Sequence, residues 1–138
     1  MRIVIDTNLF VSALINQNSR QRLNLVLEKM AIQILSDDAL MAEVYEVINR
    51  TKFKKYVTQS EIDDFYKLIQ ERTSRIETHS IVLVSPDPKD DFLLVICLDG
   101  DAEYLLTGNK IDLLDLIQFH KTKIVTLTEF LTTVFPTL

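Results

Sequence analysis

Asp6, Glu43 and Asp91 stand far apart in the chain, yet each falls where folding should aim a carboxylate at one crevice. Asp6 closes the apolar run Ile3-Val4-Ile5, Glu43 shares a helical face with Leu40, Val44 and Val47, and Asp91 shares one with Leu94, Val95 and Leu98. Like charges about 4 Å apart repel by roughly 4 kcal/mol at the effective dielectric near a protein surface. Convergent acids therefore need something positive between them, and a divalent cation is the simplest candidate. Each acid also has a plain structural reading. Asp6, with Thr7 and Asn8, can cap a helix. Glu43 can sit at the edge of its stripe and reach water, although no cation one turn away compensates it. Asp90 and Asp91 can favour a helix N-terminus through the macrodipole. Any one acid is ambiguous, but the coincidence of three favours a metal site.

The elements that must position them alternate as in a parallel α/β domain. Short apolar runs predict strands over Ile3–Ile5, Ile32–Leu35, Ile81–Val84, Tyr104–Leu106 and Lys123–Thr126. Helical periodicity predicts helices over Asn8–Ile15, Arg20–Met30, Asp38–Thr51, Ser60–Ser74, Lys89–Leu98, Asp112–Phe119 and Leu127–Phe135. Ser85-Pro86-Asp87-Pro88 is a clear breaker. In open parallel sheets ligands gather outside the carboxyl ends of the strands, and Asp6, the segment 85–91 and the segment 107–112 all follow such ends.

At 138 residues the chain suits one domain, 1–138, with room for a substantial core. Apolar residues make up 47% and charged residues 25%, which speaks against disorder. Cys97 is the only cysteine, so no internal disulfide can form. Neither a signal peptide nor a membrane span is visible, and a cytoplasmic protein with no membrane partner is expected. The net charge of −5 argues against a broadly basic nucleic-acid surface. A local patch remains: Arg50, Lys52, Lys54 and Lys55, interleaved with Phe53 and Tyr56, can meet RNA phosphate while an aromatic ring stacks on a base. The same residues also suit a solvated helix exit. His79 and His120 have no metal-ligand spacing and carry no assigned chemistry.

Ile3-Val4-Ile5-Asp6-Thr7-Asn8 with its following apolar helix resembles the opening of PIN-domain nucleases, in particular toxin components of bacterial toxin/antitoxin pairs. The similarity continues through Glu43, Asp91, the strand ending in Thr107-Gly108, and Ile124-Val125-Thr126 with the segment 127–131. The resemblance implies a PIN-like three-layer sandwich, a five-stranded parallel sheet with helices on both faces. It also implies a Mg²⁺- or Mn²⁺-dependent endoribonuclease cutting single-stranded RNA, with an antitoxin as partner and a homodimer as the usual assembly. Asp6, Glu43 and Asp91 would be the catalytic metal ligands, with Asn8 and Thr107 orienting ligands or water.

One departure stands out. Many relatives carry aspartate directly after Thr-Gly, whereas this chain has Asn109, which offers an oxygen without charge. Asp112 is the nearby substitute, or simply a helix cap. The departure keeps a second reading open, a catalytically weak or inactive module that binds RNA or a partner. A phospho-receiver domain would want paired early acids and a lysine where Leu127 and Thr128 stand, and a haloacid-dehalogenase-like phosphatase would want aspartate at Asn8.

Overall fold

A computed structural model describes residues 1–108 and 110–138, so Asn109 lies outside the described residues. In chain order these form β1 (Arg2–Ile5), α1 (Thr7–Ile15), α2 (Gln17–Glu28), β2 (Gln33–Ser36), α3 (Asp38–Ile48), α4 (Gln59–Arg72) and β3 (Thr73–Arg75). Then follow α5 (Pro88–Asp99), β4 (Tyr104–Thr107), α6 (Ile111–Leu114), β5 (Gln118–Phe119), β6 (Thr122–Thr126) and α7 (Leu127–Glu129). The sheet runs in the order β3-β2-β1-β4-β6-β5, parallel throughout except for the β5/β6 pair.

The unbroken apolar run of β1 explains its central place. Ile3, Val4 and Ile5 are completely buried. Successive strand residues point to opposite faces, so both faces of the sheet are covered, as a parallel sheet requires. Each such side chain contributes about 1.5–3 kcal/mol on burial. The helix starts are set by short polar side chains. Asp37 Oδ1 accepts from Leu40 N at 2.8 Å to open α3, Thr58 and Glu61 form a reciprocal capping box on α4, and Asp87 with Pro88 opens α5.

Two expectations about the sheet are corrected. Among the described residues it has six strands, because Gln118–Phe119 folds back antiparallel on β6. The edge strand beside β2 is Thr73–Arg75, not Ile81–Val84. Thr73 ends α4 with its hydroxyl on Ile69 O at 2.8 Å and enters the ladder directly, and Ile76 N extends it to Ser36 O at 2.8 Å. The apolar run 81–84 instead lies over α5 outside the sheet, with Val82 buried but Ile81 and Leu83 both 87% exposed. Its flanking amides are satisfied by helix side chains: Asp99 Oδ2 accepts from Ser80 N at 3.0 Å, and Asp91 Oδ1 accepts from Val84 N at 3.2 Å and Ser85 N at 2.8 Å. Side-chain acceptors thus replace a strand partner for this segment.

Helix ends shift as well. The helix expected over Asp38–Thr51 stops at Ile48, and Arg50 is extended before a 3-10 turn over Thr51–Phe53. The helix expected over Asp112–Phe119 is the single turn α6, because residues 118 and 119 are recruited into the sheet. After α7 the chain passes into a π-helical turn over Phe130–Val134.

Candidate active site

The sheet order locates the site. From β1 the chain moves outward through β2 and β3, then returns to the opposite side of β1 as β4. This reversal opens a crevice at the carboxyl ends of β1 and β4, the usual ligand position in such sheets. Asp6 follows β1 immediately, and its amide donates to Leu106 O at 2.9 Å. Its side chain is buried: Oδ2 accepts from the fully buried Thr107 hydroxyl at 2.9 Å, and Oδ1 accepts from Asn8 N at 3.5 Å. Desolvation pushes the Asp6 pKa above the ordinary carboxylate range, with the nearby Asp90 charge adding to the rise. The Thr107 hydrogen bond, the Lys110 ammonium and the Asn8 amide oppose it.

Asp90, in the first turn of α5, is only 2% exposed. Its Oδ1 accepts from Lys110 Nζ at 2.6 Å, and Oδ2 meets the Ser85 hydroxyl at 3.5 Å. Lys110 Nζ is also 3.7 Å from Asp87 Oδ2. Partial burial works against the lysine's charge, but the Asp90 hydrogen bond and the fields of Asp90, Asp6 and Asp87 hold its pKa above the ordinary lysine value.

Glu43 enters from α3, half-buried, with Oε2 accepting from the Thr7 hydroxyl at 2.7 Å. It lines a hollow of about 360 Å³ together with Thr7, Asn8, Arg50, Lys89 and Lys110. A second hollow of about 270 Å³ holds Asp90 and Asp112, and Asp87 and Lys110 line both. The crevice is therefore one acidic furrow with Lys110 at its middle.

Of the residues singled out from sequence, Asp6 and Thr107 meet directly, and Glu43 and Asn8 line the furrow beside them. Asp112 reaches the second hollow from the first turn of α6, but it is not the cap, a position taken by Lys110. Asn109 lies outside the described residues. Asp91 is the correction. Its carboxylate binds the amides of residues 84 and 85 and faces a separate, mostly apolar hollow lined by Ile81, Leu83, Phe92 and Val95. Its neighbour Asp90 occupies the crevice instead. The burial that separates them shows only in the structure: Asp90 shares a face with Leu93, Leu94 and Cys97, all buried, whereas Val95 and Leu98 on the Asp91 side are only half-buried.

The basic patch divides. Arg50 lines the furrow but is paired bidentately with Glu46 at 3.1 and 2.9 Å. Lys52 and Lys55 lie over the rings of Phe53 and Tyr56, at 5.1 and 5.4 Å from their centroids, and Lys54 is exposed. Lys89 and Lys110, not singled out from sequence, are the other cations at the furrow. The Cys97 thiol, buried in α5, is pushed up to about 12 by desolvation and is inert at neutral pH.

The donor set fits a hard divalent ion in kind. Carboxylate and hydroxyl oxygens suit Mg²⁺ or Mn²⁺, and Mg²⁺ is commonly held by one or two carboxylates plus water and substrate oxygens. Two buried carboxylates, Asp6 and Asp90, meet that requirement, with Glu43 at the rim. Among the described residues no three acidic, histidine or cysteine side chains are drawn together as a ready cage. The positive charge between the acids is the Lys110 ammonium.

A doubly wound, mostly parallel sheet with buried acids at its switch point defines an open α/β protein with an acidic ligand crevice. The PIN domain profile matches residues 2–111, and this chain belongs to the PIN domain family. Among solved structures, a chain in the crystal structure of VapBC2 from Rickettsia felis bound to a DNA fragment from their promoter is similar in fold. Its TM-score is 0.59 at 13% identity, over 91% of this chain and 98% of that one. No curated protein sequence matches the chain. Among the described residues no helix is long and apolar enough to cross a membrane.

Proposed function

We propose that this chain is a metal-dependent endoribonuclease that cuts single-stranded RNA and serves as the toxin of a toxin/antitoxin pair. The observation that carries this reading is the burial of two carboxylates, Asp6 after β1 and Asp90 in the first turn of α5, at the switch-point crevice, with Glu43 at its rim. PIN domains are in general nucleases that use divalent metals, and Mg²⁺ or Mn²⁺ held by Asp6, Asp90 and Glu43 would acidify a bound water and stabilise charge on the scissile phosphate.

The chain's own residues do the rest. Thr107 fixes one oxygen of Asp6, and Thr7 fixes one oxygen of Glu43, so both carboxylates are oriented before any ligand arrives. Asp112 flanks the second hollow, where it can support a further ion or substrate water. Lys89 and Arg50 line the entrance, where RNA phosphates would pass, and Lys52, Lys54 and Lys55 extend a basic path from it. The fold is similar to that of a chain in the VapBC2 structure bound to promoter DNA, and we expect an antitoxin partner for this chain; a homodimer in the cytoplasm is the assembly we expect.

The second reading is a module that binds RNA or a partner without turnover, and the Lys110–Asp90 ion pair filling the site favours it. Cleavage of a pool of structured and unstructured RNAs with Mn²⁺ or Mg²⁺ separates the two. Asp6→Asn, Asp90→Asn and Glu43→Gln should each reduce the rate by about 100-fold or more, at least the loss typical of disturbing a metal's supporting residues. Asp91→Asn should cleave at close to the wild-type rate. Equal cleavage by all variants would reject the assigned site. Tight RNA binding with no cleavage by the wild type at high enzyme would establish the binding module.

A further inference from the structure

The ion pair at the centre of the furrow differs from the others in the molecule. Arg50–Glu46, Arg75–Asp38 and Lys121–Asp101 join exposed partners, and such pairs contribute little. Lys110–Asp90 joins a carboxylate side chain 2% exposed to an ammonium 29% exposed, at the shortest separation of any Lys or Arg pair among the described residues, 2.6 Å. Lys110 bonds Asp90 directly, and its field also reaches Asp6, which the charge of Asp90 opposes.

The lysine's attachment permits exchange. Lys110 stands immediately before α6, at the boundary of both hollows, on a stem of four methylenes that can swing its ammonium into either. A divalent ion that takes the site on Asp90 Oδ1 now held by Lys110 displaces the ammonium, and one that takes another lone pair of the same carboxylate meets its repulsion a few ångströms away.

We infer that Lys110 is a tethered counter-ion that holds the Asp6–Asp90 pair in the metal-free protein and competes with the divalent cation for it. This rests on the metal-dependent reading above. The displaced ammonium stays at the furrow's rim, where it faces the path of a substrate phosphate. Metal affinity is thereby set by exchange of one cation for another rather than by filling an open cage.

Titration calorimetry with Mn²⁺ in the absence of RNA tests this on the full chain, comparing wild type, Lys110→Gln, Lys110→Met, Asp90→Asn and the double variant Asp90→Asn/Lys110→Gln. Removing one positive charge a few ångströms from the ion should tighten Mn²⁺ binding about tenfold in both Lys110 variants. Their melting midpoints in EDTA should fall below the wild type's, and saturating Mn²⁺ should restore them. The tightening should vanish in the Asp90→Asn background. Unchanged affinity in folded Lys110→Gln and Lys110→Met, with wild-type binding abolished by Asp90→Asn, would overturn the competition while leaving the metal site intact. An equal gain in the Asp90→Asn background would reduce the effect to net charge and overturn it too. Absence of Mn²⁺ binding in every variant would overturn both the competition and the metal-dependent reading.

Discussion

Thr107→Val tests the pre-orientation of Asp6 at its most exact point. Valine keeps the shape and the strand preference of threonine at a fully buried position, so packing is nearly conserved and the hydroxyl alone is lost. That hydroxyl donates to Asp6 Oδ2 at 2.9 Å. A hydrogen bond to a charged group is worth about 1.5–3 kcal/mol, so the variant should lose about that much at a pH where Asp6 is ionised in both proteins. For a chain of this length the melting midpoint should drop by roughly 4–10 °C. The pH dependence carries the sign. Burial already holds the Asp6 pKa above its ordinary value, and loss of the donor raises it further. Above both values Asp6 is ionised in either protein and the full difference is seen. As pH falls through the variant's higher pKa and then the wild type's, both become protonated, and the difference shrinks to that of a neutral bond, about 0.5–1.5 kcal/mol. Urea denaturation followed by circular dichroism at several pH values measures it, provided the denaturant slope is unchanged. A loss below about 0.5 kcal/mol at the alkaline end of the series, or one independent of pH, would refute the view that Thr107 compensates a buried charge.

Two further substitutions examine the scaffold. Gly100→Ala would place a methyl 2.6 Å from Leu35 Cδ1 and 2.8 Å from the Ile96 carbonyl oxygen. Because the carbonyl belongs to the last turn of α5 and cannot yield, denaturation should show a loss of about 1–3 kcal/mol, and a neutral result would mean the helix end is free to shift. Asp91→Ala should release the amides of Val84 and Ser85, and digestion with a protease that cuts after exposed aliphatic residues should then proceed faster between residues 81 and 84, with Mn²⁺ binding preserved. Loss of Mn²⁺ binding with intact resistance to the protease would restore Asp91 to the metal site.

The sequence made the central strands plain because burial on both faces leaves only apolar residues at positions 3–5 of β1 and 105–106 of β4. Asp6 and Thr107 were legible for the same reason: each is the first polar side chain to follow such a run at the crevice. The segment 81–84 misled because its apolar composition equals a buried strand's while its role is to cover α5, and composition does not distinguish an edge strand from a covering strap. The short β3 was hidden at the end of a helical pattern, where Thr73-Ser74-Arg75 carries little apolar signal and sheet pairing outweighs propensity. The choice between Asp90 and Asp91 turned on α5 being buried on most of its circumference, so that two adjacent stripes both looked inward. Asp91, Val95 and Asp99 recur every fourth residue on the face that ties down residues 79–85, while Asp90, Leu93, Leu94 and Cys97 face the core and the crevice. One helix therefore serves as a clamp on one side and as the floor of the acidic furrow on the other.

The raised pKa of Asp6 shows which way the site is biased without its ligand. A group titrating higher in the folded state than in the unfolded one contributes stability that is present at low pH and lost as pH rises through the folded value. Once ionised, Asp6 is therefore a source of instability, lessened but not removed by Thr107 and Lys110. A divalent ion that binds only the folded state returns stability in proportion to the logarithm of its concentration over its dissociation constant. On the metal-dependent reading, the carboxylate burial that weakens the empty protein is the same feature that would make a hard cation favourable there. Lys110 shields the acids, and on the proposed exchange it would raise the concentration of metal at which that exchange takes place.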